Sequence, residues 1–274
     1  MSRNRTHSHG SLTGRLLRGL AVLALAAFVL LPLTQAILTS FTSTIARDGI
    51  AEGSFTLLNY WNVFATPELR AAIVNSVVYV LLNVALRLAV GLPAAYAFAR
   101  ATFVGDRHLF FMLLTFRITP PVVLSLPIFI VFSQYQLVNS PVGIAVVHCL
   151  VNVPVAIWIL EGFISAVPRE FDETAFLDGY SLPHFFVRHL IPAIAPGIGV
   201  AAFFCFVFSW VEVVLARILT VTAGKPITMA INALFSFRTD FGLVTAMTIV
   251  SLVPGLVMLS LVRNHIARGF LIRT

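Results

Sequence analysis

The chain has 274 residues, 59% of them apolar and only 11% charged, with a mean hydropathy of +0.96. Soluble domains carry roughly 25% charged residues, so this composition excludes a soluble globular protein and places the chain in a bilayer. The net charge of +7 comes from arginines at the ends of apolar segments, where orientation charges belong, and not from a solvated basic face, which excludes nucleic acid as a partner.

The N-terminal stretch from Met1 to Arg18 is basic, and the apolar run after it reaches Leu38 with no small-residue cleavage site, so it reads as a retained helix and not as a removed signal peptide. Residues 1–15 form a tail, in which His7-Ser8-His9 reads as a disordered polar terminus. A bilayer core takes about 20 predominantly apolar residues per helix. Six stretches meet that length: Leu16–Phe41, Ala71–Phe98, Leu109–Val131, Val142–Phe163, Ala193–Leu219 and Gly242–Val262. None alternates with period two, which excludes a closed barrel. The expected fold is therefore all-α, a polytopic membrane protein of six transmembrane helices. Residues 16–41 form the first span, 42–70 an external loop, 71–263 a five-helix core that includes the loop 164–192, and 264–274 a tail. Cys149 and Cys205 lie inside apolar runs and are read as packing residues, because neither their number nor their spacing suits a disulfide framework or a metal site.

Orientation follows from the basic residues. A cytosolic N-terminus puts Arg3, Arg5, Arg15, Arg18, Arg100, Arg107, Arg169, Arg188, Arg263, Arg268 and Arg273 inside, and leaves Arg47, Arg70, Arg217, Lys225 and Arg238 outside. That asymmetry satisfies the positive-inside rule, with both termini and the loop 164–192 cytosolic.

This loop is a charged island with its own helix punctuation. Pro168 suits a first turn, Glu170, Asp172 and Glu173 place negative charge at the positive end of a helix, and Gly179 suits the left-handed stop. Ser181 is a suitable N-cap for a second short helix, and Pro192 marks its hand-over to the fifth span. Phe171 with Ala175, and Phe186 with Leu190, stand four apart. Each helix thus has an apolar stripe that it cannot bury alone, to be covered by the ends of its own bundle or by a partner.

Three charged residues fall at membrane depth: Arg87, Arg117 and Glu212. Such groups mark a pathway or a buried partner; an Arg–Glu pair at an interior interface suits them, and whether it belongs to a path or only fixes helix packing stays open. A path for a hydroxylated solute calls for amides, hydroxyls and aromatic faces, which Asn83, Ser125, His148, Asn152 and Trp210 supply on the second to fifth spans. Lone residues of these types also hold helices together, and that reading stays open for each of them. His184 and His189 have no third ligand nearby and are read as surface or interface residues, so no metal is expected. No Ser/His/Asp, His/Glu or paired-carboxylate cluster with a catalytic spacing is visible, and no catalytic residue is expected.

The run Glu173-Thr174-Ala175, three residues, Gly179, nine residues, then His189-Leu190-Ile191-Pro192 resembles the EAA loop of ABC-importer permeases, with Thr174, His189 and Ile191 in place of the usual alanine, isoleucine and leucine. The resemblance spans about 200 residues, from Leu58 to Phe270, and looks like the carbohydrate-uptake branch that contains the second maltose-type permease. Its landmarks are Asn59-Tyr60, Asn75-Ser76, Pro93 to Arg100, Pro120-Pro121, Asn139-Ser140, Pro168-Arg169-Glu170 and Ser209-Trp210-Val211-Glu212. Val211 departs from the asparagine usual there.

The resemblance implies a type I importer architecture in the cytoplasmic (inner) membrane of a bacterium. The implied partners are a second permease subunit, two cytosolic ATPase subunits and an external solute-binding protein, besides membrane lipid. It also implies that the helix before Gly179 is a coupling helix. Glu170, Phe171, Glu173, Ala175, Asp178 and Gly179 are then the ATPase-coupling residues. The chain has no G-x-x-x-x-G-K-[ST] loop: its only lysine, Lys225, has Leu219 where the first glycine belongs. ATP and Mg are accordingly expected on the partner ATPases, with no cofactor on this chain. The implied function is import of a sugar, polyol or related hydroxylated solute by alternating access, and Arg117 to Pro121 together with Val262 to Phe270 lean toward polyol permeases. The alternative is an ion-coupled secondary transporter, but no repeat between the two halves is visible and Glu212 is the one acid well inside a span.

Overall fold

The computed structural model describes residues 12–46, 49–235 and 239–271. The tail with His7-Ser8-His9 and the orientation charges Arg3, Arg5, Arg47, Arg238 and Arg273 lie outside the described residues. In chain order the helices are α1 (Leu12–Ser40), α2 (Leu58–Ala65), α3 (Pro67–Arg100), α4 (Asp106–Phe116), α5 (Pro121–Gln134), α6 (Pro141–Ser165), α7 (Arg169–Leu177), α8 (Leu182–Phe185), α9 (Ile191–Ala193), α10 (Ala195–Trp210), α11 (Val214–Leu219), α12 (Ile227–Leu234) and α13 (Phe241–Leu271), with a π-helical turn over Phe186–Leu190. Among the described residues there is no strand beyond an isolated bridge between Thr42 and Phe55. The fold is all-helical.

Among the described residues four helices are long and apolar enough to cross a membrane, Leu16–Ser40, Pro67–Arg100, Pro141–Ser165 and Phe241–Arg263. A fifth is added if Leu182–Ala193 and Ala195–Trp210, which meet at 85°, count as one span. The third stretch expected from the sequence, Leu109–Val131, is not one helix. It divides into α4 and α5 at Arg117–Pro120, because Pro120 is extended (φ −59°, ψ 131°) and Pro121, which has no N–H to donate backwards, can only begin a new helix. The fifth stretch ends at Trp210 and not at Leu219: α10 stops there and α11 starts afresh at Val214.

The chain forms two compact units, Met1–Val63 with Phe237–Ile249, and Phe64–Ser236 with Val250–Thr274. In the first, the amide of Asn59 donates to the carbonyls of Ser40 (3.0 Å) and Thr42 (2.9 Å), closing the exit of α1. The Thr44 hydroxyl donates to Asp240 (2.7 Å) and accepts the N–H of Gly242 (2.9 Å), tying the same turn to the start of α13. The apolar window of α1 is unburied, as suits a helix whose whole circumference is apolar.

The second unit is built on α3, α6 and α10, which pack against one another. Gly197 lets α10 come close to α6: a Cβ there would overlap Cγ of Phe163. At one end of these helices Leu92, Ala95, Ile157, Leu160 and Ile164 form a core with Ala175, Phe185, Leu190 and Ile194 from the loop that follows α6.

Candidate functional site

The acidic loop is a helix clamped at both ends. Pro168 occupies the N-cap position (φ −57°, ψ 145°), one residue before the first turn, and Glu170 and Asp172 follow in that turn. Gly179 adopts φ +88°. Its N–H donates to the carbonyl of Phe176 (3.1 Å) and that of Tyr180 to the carbonyl of Ala175 (3.1 Å), the bond pair of a Schellman cap. The second segment starts at Ser181, as the sequence predicts, but the Ser181 hydroxyl makes no cap bond, and its carbonyl accepts the Phe185 N–H instead (2.9 Å). The turn into α10 falls at Ile194 (φ −101°, ψ 17°) and not at Pro192.

The loop is held on its own bundle by one side only. Ala175, Phe185 and Leu190 are buried in the core named above, and the Phe171 and Phe176 rings lean on Phe185 at 6.2 and 5.2 Å. The opposite side of α7 is free: Glu170, Glu173 and Asp178 are exposed, and Leu177 is 87% exposed, a large apolar side chain presented outward beside three acids. Of the predicted coupling residues, Ala175 therefore faces inward and the other five remain accessible. His184 and His189 belong to the aromatic packing of this loop around Tyr180 (5.0 and 4.6 Å). Among the described residues no group of three or more His, Cys, Asp or Glu could hold a metal ion.

Asp172, which the sequence marks only as a helix-end charge, is the anchor of α7. Arg100, in the last turn of α3, donates from Nε to Oδ2 (2.8 Å) and from Nη2 to Oδ1 (3.1 Å), and also from Nη2 to the Val167 carbonyl (3.0 Å). Tyr96, one turn earlier, donates its hydroxyl to Oδ2 (3.0 Å). Both charged side chains are nearly covered, at 10% and 8% exposure, so this is a two-pronged pair shielded from solvent. Partners 72 residues apart obey no spacing rule; the available signal is an arginine ending a long apolar helix and an aspartate in the first turn of an amphipathic one.

A second polar group lies between α3, α6 and α10. Arg87 is fully buried and has no acid partner: Nη2 donates to the His148 carbonyl (2.7 Å) and Nη1 to the Cys205 carbonyl (3.2 Å). Asn152 donates to the same His148 carbonyl (3.2 Å) and Asn83 to the Ala145 carbonyl (2.7 Å), while the Oδ1 of each amide is buried without a hydrogen-bond partner. The expected Arg–Glu pair does not form. Glu212 instead meets His148 Nε2 (3.2 Å) and accepts the N–H groups of Leu215 (2.9 Å) and Ala216 (3.0 Å), capping α11. That cap is the reason the fifth stretch breaks after Trp210: once Glu212 serves the free N–H groups of a new helix it cannot also continue the old one. Arg117 lies over the Phe208 ring, 5.2 Å from its centroid.

His148 also meets Ser209 Oγ through Nδ1 (2.7 Å). The structure thus assembles a Ser–His–Glu arrangement that linear spacing did not reveal. It offers no nucleophile, because Ser209 and His148 are 3% and 1% exposed and both Glu212 oxygens are committed to backbone N–H groups. Of the predicted path residues, Asn83, His148 and Asn152 come together around Arg87. Trp210 stands apart, its indole donating to the Ser251 carbonyl on α13 (3.0 Å), and the Ser125 hydroxyl merely returns to the Val122 carbonyl of its own helix (2.6 Å). Cys149 and Cys205 are both buried and free. A cleft of about 320 Å³ lined by Val213, Arg217, Met229, Asn232 and Ala233, and one of about 230 Å³ lined by Phe98, Asp106, Arg107, Phe110, Phe111 and Glu161, both lie off this cluster.

An all-helical bundle with several apolar spans, a closed polar interior and an exposed, capped helix on a loop defines a membrane permease subunit. Residues 87–269 match the family described as "Binding-protein-dependent transport system inner membrane component", and the chain belongs to that family. It is 30% identical over 233 residues to a probable ABC transporter permease protein, y4oR, of Sinorhizobium fredii, covering 84% of this chain and 83% of that one. It is 28% identical over 232 residues to the trehalose transport system permease protein SugB of Mycobacterium tuberculosis, covering 83% and 85%. A crystal structure of a bacterial ABC transporter involved in import of the acidic polysaccharide alginate contains a chain of the same fold (TM-score 0.74, 18% identity, 93% of this chain and 98% of that chain). Membership makes the chain a transport subunit of an ABC importer and sets aside the ion-coupled alternative.

Proposed function

We propose that the chain is one of two permease subunits of an ATP-driven importer for a sugar, polyol or related hydroxylated solute. In this reading α7 is the coupling helix seated on a cytosolic ATPase, ATP and Mg are bound by two such ATPase subunits, and an external binding protein delivers the solute. The observation that carries it is the geometry of α7: one side anchored on its own bundle, the other presenting Leu177, Glu170, Glu173 and Asp178 to a partner. The trehalose permease relative supports the solute class.

Six crossings follow if α4 and α5 together act as one and α8 to α10 as another, with both termini and the α7 loop in the cytosol as the basic residues favour. The buried cluster around Arg87 is then the closed wall of the path. Asn83 and Asn152 each hold an unpaired amide oxygen ready to accept a solute hydroxyl once the helices part, and alternating access is that parting. Co-purification tests the reading: an ATPase subunit should accompany the wild-type chain and be lost when the exposed residues of 169–179 are changed. Retention of the ATPase by such a variant would refute the assignment of α7.

A further inference from the structure

Resting on the coupling reading above, we infer that Arg100 and Asp172 form the mechanical joint between α7 and the membrane bundle, so that a displacement of α7 moves α3 with it. The two-pronged pair, braced by Tyr96 and by the bond from Arg100 to the Val167 carbonyl, ties α7, the α6–α7 turn and the last turn of α3 at one point. No other charged contact holds α7 to α3 among the described residues. The remaining attachments of α7 are apolar and rest on Ala175, Phe171 and Phe176. Apolar contacts can slide; a shielded bidentate pair fixes both distance and angle.

The same helix carries the other end of the linkage. Arg87 stands 13 positions before Arg100, about 20 Å along the axis at 1.5 Å per residue. It grips the carbonyls of His148 on α6 and Cys205 on α10, and His148 in turn holds Ser209 and Glu212. Pro93 removes one bond from the α3 ladder between the two arginines, but its neighbours Leu92 and Ala95 are buried against Ile157 and Leu160, which stiffens that segment. Two arginines on one helix therefore join the exposed α7 to the closed polar interior. Asp172 and Arg100 are positioning residues, touching neither solute nor nucleotide.

The test uses the importer assembled with its partner permease and ATPase subunits in nanodiscs. Spin labels at Leu177→Cys on α7 and Leu81→Cys on α3, both exposed positions, report their separation with and without ATP and vanadate in complexes shown to retain the ATPase; because Leu177 lies on the side of α7 assigned to the ATPase, stimulation of hydrolysis is read on the same variants without the labels. In the wild type the separation should be the same in both states, and stimulation of ATP hydrolysis by the binding protein should be intact. Asp172→Asn and Arg100→Gln should make the separation change on trapping and lower the stimulation at least about fivefold, the lower end of typical coupling between sites. Arg100→Lys keeps the charge without the fork, should assemble normally, and should fall between. Exchange of the two residues, Arg100→Asp with Asp172→Arg, should recover part of the loss. A wild-type separation that changes on trapping, or Asp172→Asn and Arg100→Lys complexes with wild-type separation and stimulation, would overturn the joint. Failure of the wild-type chain to bind any ATPase would instead overturn the coupling reading.

Discussion

Gly179 offers the sharpest perturbation of α7, because its cost is almost purely conformational. A Cβ added there meets no atom within 4 Å, while the backbone stands at φ +88°. An L residue forced into a left-handed conformation loses roughly 1–2 kcal/mol. If the turn relaxes instead, the bonds to Phe176 and Ala175 are lost, at about 0.5–1.5 kcal/mol each. Either route destabilises the end of α7 by about 1–3 kcal/mol without touching the buried core. Asparagine tolerates the left-handed region, alanine does so poorly and valine worst. Stimulation of ATP hydrolysis should therefore rank Gly179, then Gly179→Asn, Gly179→Ala and Gly179→Val, at equal abundance of the chain in the membrane. The assay is binding-protein-stimulated phosphate release from the reconstituted importer, normalised to chain content. Full stimulation in Gly179→Val would refute the reasoning, since no steric term remains to explain a difference away.

Other consequences follow from the packing. Gly197→Ala places a methyl group against Cβ and Cγ of Phe163, and should lower thermal stability in detergent by about 1–3 kcal/mol as α6 and α10 are pushed apart. Glu212→Gln retains one acceptor oxygen but loses the charge that serves His148 and the N–H groups of Leu215 and Ala216, and should cost about 1–3 kcal/mol in the same melting measurement. Arg87→Lys replaces a fork that reaches carbonyls on two helices with a point charge that reaches one, so it too should melt earlier, by about 1–3 kcal/mol.

The long apolar spans were legible because hydropathy and length fix them, and the predicted ends of the second and fourth lie within a few residues of α3 and α6. The helix before Gly179 was legible because proline, acid and glycine each have a positional meaning at helix ends. What escaped was set by contacts distant in sequence or by local polar competition. Pro120-Pro121 divides the third stretch, but the hydropathy on both sides of it runs on unbroken and hides the division in the sequence. An acid at the depth of Glu212 points to an arginine by charge alone, whereas its partners are the N–H groups three and four residues ahead and the ring of His148. Asp172 looked like one more helix-end charge until the fold brought Arg100 and Tyr96 to it.

The central claim, that the exposed side of α7 seats an ATPase, is tested most directly by cross-linking from Leu177→Cys. Leu177 is 87% exposed, and the native Cys149 and Cys205 are buried, so the introduced thiol is the reactive one among the described residues. With the complete importer in membranes and a short thiol-directed photo-cross-linker, the account predicts a covalent product between this chain and an ATPase subunit, with a yield that changes when ATP and vanadate are added. An importer that contains the ATPase and hydrolyses ATP, yet gives no such product from position 177, would contradict it.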